Sequence, residues 1–265
     1  MKKNEVANTE GQTFDLALMG GDIAQAIAEE LDGLGNLTLD IIKFPSGGGI
    51  SFEVPGEDED DVEAMTKLRG VILHHQPVNV YWATKFEDKA ADDGNSPDCV
   101  AYDGHTGFKN GSDQPIDCAN CPFNQFGSGE GGIGKACVNK HRIYLLLEGQ
   151  AMPYLLTLPP TSLKSFRKYL TKSVVTKGKR AWEVVTEIGL KKTESTNGIT
   201  YSVATFKKIG DLEPDQAEAA RGMGETFKNN NDRVDITETE KAETMAASDG
   251  DFVDIPEGEA ADLPF

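Results

Sequence analysis

The chain has 265 residues, of which 38% are hydrophobic, 8% are aromatic and 26% are charged, and its formal net charge is -18 at pH 7. This apolar content is enough for a folded core, so a wholly disordered chain is excluded. No apolar run approaches the length of a bilayer span and the first residues are polar, so we expect a cytoplasmic protein without a leader or membrane anchor.

The charge is distributed unevenly along the chain. Lys and Arg exceed Asp and Glu by eight in residues 141–210, whereas residues 1–140 and 211–265 have net charges of -14 and -12. A basic centre beside an acidic tail is a pattern typical of nucleic-acid binders whose acidic arm shields or competes for the basic surface.

The first half of the chain predicts one helix and then strands. Asp22 can cap a short amphipathic helix that carries Ile23, Ile27 and Leu31 on one face and ends at Gly33. Strand-like runs follow at residues 37–44 and 50–54, joined by a flexible Gly-rich turn, and an acidic run at residues 57–61 is typical of a solvated loop. Further strands are predicted at residues 70–75 and 78–84.

The second half begins with an irregular stretch and then regains its periodicity. Residues 86–140 are rich in Gly, Asp, Asn and Pro, which indicates an insertion without a core of its own. Strands are predicted at 142–149 and 153–158, a helix at 161–170 capped by Thr161 or Ser162, and a hairpin of strands 182–190 and 199–206 that turns at Asn197-Gly198. Residues 211–230 are predicted to be helical, and the acidic remainder to be disordered.

This element order predicts a mainly β fold with minor α content, because strands, one helix and a closing hairpin are the order of a five-stranded OB barrel. We therefore expect an N-terminal extension at residues 1–36 and an OB-fold core at 37–210 with an insertion at about 87–140. A linker helix at 211–230 and a disordered acidic tail at 231–265 complete the predicted organisation.

Four cysteines in the insertion predict a structural zinc site. Cys99, Cys118, Cys121 and Cys137 are spaced C-x18-C-x2-C-x15-C, and the central pair forms a tight knuckle that lets two thiolates bind one tetrahedral ion. Four unrelated buried thiols are the alternative, although buried cysteines usually lie in apolar strands. His105 or His141 could replace an outer cysteine. A redox role would need a thioredoxin-like βαβ context, which the pattern lacks.

Aromatic and basic residues alternate in three stretches, a composition typical of a groove in which bases stack on rings while cations follow the phosphates. The alternative is that the rings belong to the core and the cations to an ordinary surface. In the predicted helix we expect Phe166 to pack inward and the cations to be exposed. The candidate DNA contacts are Tyr81, Trp82, Lys85, Lys164, Arg167, Lys168, Lys172, Lys177, Lys179, Arg180 and Trp182, with Phe86 in the same first stretch.

Enzymatic chemistry has little support in the sequence. No HExxH helix, GxSxG nucleophile elbow or separated acid pair is found. His74 and His75 are neighbours on a predicted strand and so point to opposite faces, which prevents them from holding one metal together. The prediction is a protein that binds without catalysing.

The acidic tail finishes in Asp262, Leu263, Pro264 and Phe265, an apolar and stiffened tip that carries an aromatic ring and the terminal carboxylate. This tip closely resembles that of bacterial single-stranded DNA-binding (SSB) proteins, whose acidic tail ends in Asp-Ile-Pro-Phe. The resemblance covers only the tail, and it implies that these four residues bind replication proteins such as a polymerase, helicase or primase. It also implies that the tail competes with DNA for the basic groove.

The cysteine insertion and N-terminal addition differ from bacterial SSB proteins. A zinc insertion in an OB fold with an acidic tail looks instead like the helix-destabilising proteins of large bacteriophages, which would place the protein in the host cytoplasm. The function predicted from this resemblance is coating of single-stranded DNA during replication, recombination and repair. A zinc-ribbon transcription regulator or adaptor that contacts polymerase is the alternative, and an enzyme acting on nucleic acid ranks third.

Overall fold

The computed structural model describes residues 39–45, 47–56, 61–83, 97–195 and 198–229. The predicted helix after Asp22, most of the acidic run at 57–61, and the segment that holds Lys85 and Phe86 lie outside the described residues. So do Asn197 and the whole tail from residue 230, including Asp262, Leu263, Pro264 and Phe265.

The protein is mainly β, as the sequence predicts. Within the described residues the strands are β1 (Ile41–Ile42), β2 (Phe52–Pro55), β3 (Val62–Met65), β4 (Lys67–Tyr81), β5 (Cys99–Ala101), β6 (Thr106–Lys109), β7 (Pro115–Asp117), β8 (Cys137–Leu147), β9 (Tyr154–Leu158), β10 (Val184–Glu194) and β11 (Thr200–Asp211). The α-helices in the same ranges are α1 (Pro160–Tyr169) and α2 (Pro214–Asn229).

One large sheet organises the fold, with β4 at its centre. Its strand order is β1-β9-β8-β4-β5-β6-β7, and β10 pairs with the start of β4 and carries β11 on its other side. The β1–β9 pair is parallel and the others are antiparallel. The β2–β3 hairpin joins β1 through an isolated bridge between Lys43 and Glu53. Among the described pairings no closed barrel is formed, so the predicted OB barrel is not reproduced as a closed ring of strands.

Strand β4 is a single 15-residue strand where the sequence predicts two. One edge of β4 pairs with β8 over nearly the whole strand. Among the described strands, the opposite edge pairs with β10 only up to Val71 and with β5 only from Asn79, which leaves a gap between these two residues. Proline is tolerated in a strand where one edge lacks a partner. Pro77 lies within this gap, and the chain continues through it as a strand.

Each face of the sheet is covered by its own hydrophobic cluster. On one face Phe166 and Tyr169 of α1 pack with Ile72, Ile143 and other strand residues. On the opposite face Phe227 of α2 packs on the remaining strand residues, which include Leu73, Tyr144 and Leu146. Alternate side chains of a strand point to opposite faces, and this period explains how β4 and β8 serve both cores.

Helix α1 begins one residue earlier than predicted, and neither Thr161 nor Ser162 caps it. Pro159 precedes the helix and Pro160 occupies its first turn, where the missing N–H costs nothing. The buried Ser162 Oγ instead accepts a hydrogen bond of 2.9 Å from the backbone N–H of Ala204 on β11. The helix continues through a π-helical turn (Leu170–Val174) and two 3₁₀ turns (Val175–Lys177 and Ala181–Glu183) into β10.

Helix α2 docks closely on β4 because it carries a glycine at the contact. A Cβ atom added at Gly224 would meet the carbonyl oxygen of Leu73 at 2.3 Å, whereas one added at Gly222 would meet nothing within 4 Å. Gly224 is therefore a packing residue, and Gly222 is not. Neither described helix is long and apolar enough to cross a membrane.

These two glycines give a matched pair of variants. Gly224→Ala should lower the free energy of unfolding by about 1–3 kcal/mol, because the new methyl group collides with the β4 backbone. Gly222→Ala should raise it by up to about 1 kcal/mol, because alanine favours the helix and meets no neighbour. Urea denaturation of both variants measures the difference, and equal effects of the two would contradict this docking of α2.

Candidate metal centre and nucleic-acid interface

The cysteine insertion is a small ladder of strands that extends the main sheet. Strands β5, β6 and β7 pair in sequence, starting from the end of β4. Gly104 and Gly111, with φ of 72° and 74°, lie in the connecting turns, where a positive φ is needed. Beyond β7 the chain makes 3₁₀ turns at Pro122–Asn124 and Glu130–Gly132 before it re-enters the core as β8. The insertion is thus attached to the core sheet through the pairing of β5 with β4.

The fold brings the cysteines to one end of β4. Cys99 on β5 and Cys137 on β8 are the register partners of Tyr81 on either side, so the three side chains share one face. A Cβ atom added at Gly107 would lie 3.1 Å from Cys99 Sγ and 3.5 Å from Cys118 Sγ, which puts these two sulfur atoms beside the same point. Cys121 follows in the knuckle and interacts electrostatically with Cys99 and Cys137. All four are free cysteines.

Side-chain amides hold the backbone of the knuckle. Asn124 Nδ2 donates to the carbonyl oxygen of Cys118 at 2.8 Å, and Gln125 Nε2 donates to those of Ala119 at 2.8 Å and Cys121 at 3.2 Å. Asn139 of β8 donates to Asn124 Oδ1 at 3.0 Å, which ties the loop to the core sheet. Hydrogen bonds of this kind orient a ligand loop around a metal site.

Burial of the thiols has an electrostatic consequence. It raises the pKa of Cys137 to about 12, with a further contribution from the neighbouring cysteines, and it raises the pKa of Cys99 and Cys118 as well. Such thiols stay protonated unless a cation compensates the charge of the thiolates, and a bound zinc ion would supply that compensation. Four sulfur donors fit zinc by their chemistry. No group of three or more His, Cys, Asp or Glu in the described part of the chain is arranged at metal-ligand spacing.

The two histidines considered as replacement ligands occupy different places. His141 lies four residues along β8 from Cys137, about 13 Å away, and its ring pairs with His75 instead. His105 is exposed, and its backbone carbonyl accepts a hydrogen bond of 2.9 Å from Cys118 N–H. Of the two, His105 is the one beside the cysteines.

An aromatic stack lies beside the cysteines. Tyr81 stacks on Phe123 of the knuckle with ring centroids 4.3 Å apart and an interplanar angle of 19°. One face of Tyr81, predicted as a DNA contact, is therefore covered by the protein itself. Phe126 and Ile133, which were not predicted as contacts, are 63% and 67% exposed in the same insertion.

The basic residues of the central segment are exposed, as predicted. Phe166 and Tyr169 are buried, while the cations between and after them face solvent. Lys179 is half-buried and lies 3.7 Å from Asp211, so its charge is partly compensated. The exposed cations are Lys164, Arg167, Lys168, Lys172, Lys177 and Arg180. We call residues 164–180 the basic segment.

The candidate aromatic contacts do not all lie beside the basic segment. Phe166 packs against His75, and Tyr81 lies six residues further along β4, about 20 Å away. Trp82, next to Tyr81, is half-buried. Trp182 follows the basic segment directly and packs against the second core cluster while remaining half-buried. Only Trp182 among these three rings is continuous with the exposed cations.

A histidine pair joins β4 and β8. His75 Nδ1 and His141 Nε2 share a hydrogen bond of 2.8 Å, and both rings pack against Phe166 of α1. Burial lowers the pKa of His75 to about 4 and, together with the neighbouring His75, lowers that of His141 to about 3. This pair was not predicted from the sequence, because only the register of β4 against β8 brings residues 66 positions apart into contact.

Comparison with known proteins found no matching family model, no matching curated protein and no matching solved structure.

Proposed function

We propose that this chain is a single-stranded DNA-binding protein that coats DNA without catalysing a reaction. The observation that carries the proposal is the basic segment, whose six exposed cations stand on a mainly β core in a chain with a net charge of -18. Contacts with backbone phosphates supply most of the affinity of nucleic-acid binding, and clustered Lys and Arg side chains make these contacts. The acidic tail tip, similar to that of SSB proteins, supports the same function.

The open sheet is compatible with an OB-like core. Ser202 Oγ of β11 donates to the carbonyl oxygen of Gly49 at 2.6 Å, which brings the turn between β1 and β2 against the last strand. The strand path β1-β9-β8-β4-β10-β11 thus returns toward its beginning around the cluster that contains Phe166. We propose that the core is an OB-type barrel, for which this contact is the support.

The four cysteines would serve this function structurally. We propose that Cys99, Cys118, Cys121 and Cys137 hold one zinc ion, which would supply charge compensation and a tetrahedral cross-link when bound. Four thiolate ligands leave no open coordination position, so such a site stabilises a fold and activates no water. Its place at the end of β4 would fix the insertion relative to the core.

Charge reversal in the basic segment tests the function. Arg167→Glu combined with Lys168→Glu should weaken binding to single strands of every sequence alike. The slope of log affinity against log salt should fall by about 0.7 for each phosphate that the variant no longer neutralises. Fluorescence anisotropy with homopolymer DNA at two salt concentrations measures both quantities. The matched control is Lys191→Glu with Lys192→Glu, an exposed pair on β10, which should have a smaller effect.

Two outcomes would contradict the proposal. Equal effects of the two charge reversals would mean that the basic segment is not the DNA surface. Tighter binding to a particular duplex than to any single strand would favour the transcription regulator, because a regulator reads base edges in the grooves.

The tail should restrain DNA binding through its charge. Deleting residues 231–265 removes eleven Asp and Glu with two Lys and Arg, so affinity for single strands should rise, most visibly at low salt. Replacing the eleven acidic residues by Asn and Gln should have the same effect.

Phe265→Ala should leave DNA affinity near that of the wild type while capture of a replication protein is abolished, as expected when an aromatic anchor is removed. Unchanged capture would show that the resemblance of the tip is a coincidence.

A further inference from the structure

A cavity of about 300 Å³ lies beside the edge of β4 opposite β8, at the gap between β10 and β5. No described strand pairs with this edge between Val71, where β10 leaves, and Asn79, where β5 joins. The floor of the cavity is formed by Ile72, Leu73, His74 and His75 of β4. Within the described part of the chain, main-chain groups in this stretch of β4 therefore lack a strand partner on the side that faces the cavity.

Two other elements complete the walls. Ala181 and Trp182, in the 3₁₀ turn before β10, form one side. The flank of α2 forms the other, with Arg221, Glu225 and Lys228 spaced at i, i+4 and i+7 along one face of the helix. The close contact at Gly224 holds this flank against β4. An aromatic ring thus faces two exposed cations across a cavity near the lower limit of ligand-binding size.

The basic segment leads to this cavity along the chain. It starts on α1, which packs on one face of the sheet, and it ends at Arg180, two residues before Trp182. Trp182 belongs to the cluster on the opposite face. The exposed cations consequently run from one face of the sheet toward the edge where the cavity opens.

We propose that the cavity holds one nucleotide of the bound single strand, with its base against Trp182 and a flanking phosphate at Arg221 and Lys228. This inference rests on the proposed function and adds a second contact region that includes residues of α2. Base stacking on an aromatic ring beside a cationic groove is the general way in which proteins hold single strands, because every base has a flat π face. A cavity of this size takes one base and leaves neighbouring nucleotides outside.

Glu225 allows a test with opposite signs. Its carboxylate lies between the two cations on α2 and repels a phosphate, whereas the surface ion pair of Arg221 with Glu218 contributes little to stability. Arg221→Gln combined with Lys228→Gln should weaken binding to a thymidine decamer and lower the salt slope by about 0.7, because the two side chains hold one phosphate. Glu225→Gln should tighten binding to the same decamer. Both variants change only exposed side chains on the surface of α2, so the fold should be retained.

Intrinsic fluorescence adds a readout at the ring itself. In a Trp82→Phe background Trp182 is the one remaining indole, and its emission should be quenched when the decamer is added. In a Trp182→Phe background the quenching should be absent. The control for charge is Lys43→Gln, which removes one exposed cation from the strand region beside β1 and should leave the decamer affinity near that of the wild type.

The outcomes separate this inference from the function on which it rests. If charge reversal at Arg167 and Lys168 weakens binding while the α2 variants bind normally and Trp182 is not quenched, the cavity is not a nucleotide site and the proposed function stands. If the unmodified protein does not bind the decamer at any salt concentration, both fail together.

Discussion

Removal of the proposed zinc ion is expected to unfold the cysteine insertion while the core sheet stays folded. Strands β5, β6 and β7 contribute few buried side chains, and the stability of this region should depend on the metal cross-link. Structural zinc sites contribute on the order of 10 kcal/mol to the folding of small domains. Hydrogen exchange of the backbone amides of β5–β7 should therefore accelerate strongly after chelation, and that of β8 and β9 should change little.

Metal content and single substitutions sharpen this test. Freshly purified, reduced protein should contain one zinc ion per chain by elemental analysis, and Cys118→Ser should reduce this stoichiometry. His105→Gln should leave it at one, because in the proposed site the four cysteines complete the coordination of zinc, whereas a variant without zinc would assign His105 as a ligand. Reduced protein without stoichiometric metal, with exchange rates that chelators do not change, would show that the cysteines are ordinary buried thiols.

The protein should become less stable as the pH falls below 6.5, because of the His75–His141 pair. Burial lowers the pKa of His75 to about 4 and that of His141 to about 3, so between these values and 6.5 the unfolded chain binds protons that the folded chain does not. The free energy of unfolding then decreases with falling pH, by up to about 1.4 kcal/mol per pH unit for each histidine. Between pH 7 and pH 5 we expect a decrease of about 2–4 kcal/mol.

Urea denaturation at pH 7 and pH 5 measures this decrease. The groups around the pair are His74 on β4, whose own pKa burial lowers, and Phe166 on α1, which carries no charge. Combining His75→Gln with His141→Gln should flatten the dependence on pH, while His105→Gln, on the exposed insertion loop, should keep the slope of the wild type. An equal slope in the double variant would mean that other groups govern the instability in acid.

Local pattern was sufficient to predict most of the elements. Alternating or continuous apolar residues marked β8, β9, β10 and β11. In the helix predicted at 161–170, which is α1, Phe166 was expected to pack inward and the cations to be exposed, and both are found. These features depend on residues near one another in the chain, and burial of one face of an element is visible in its own periodicity. The mainly β class of the protein followed from the same patterns.

The sequence by itself predicted most strands and helices of the core and which cations face solvent, because those properties arise within single elements, but it did not predict β3 or the ladder of β5, β6 and β7. Only the tertiary structure decided which elements meet. The pairing of β4 with β8 places His75 on His141, and it sets Cys137 opposite Cys99 across Tyr81. The contact of Gly224 with Leu73 brings the cations of α2 to the gap in β4. Such contacts depend on strand register and on close approach between distant segments, and no local pattern of residues specifies either of them.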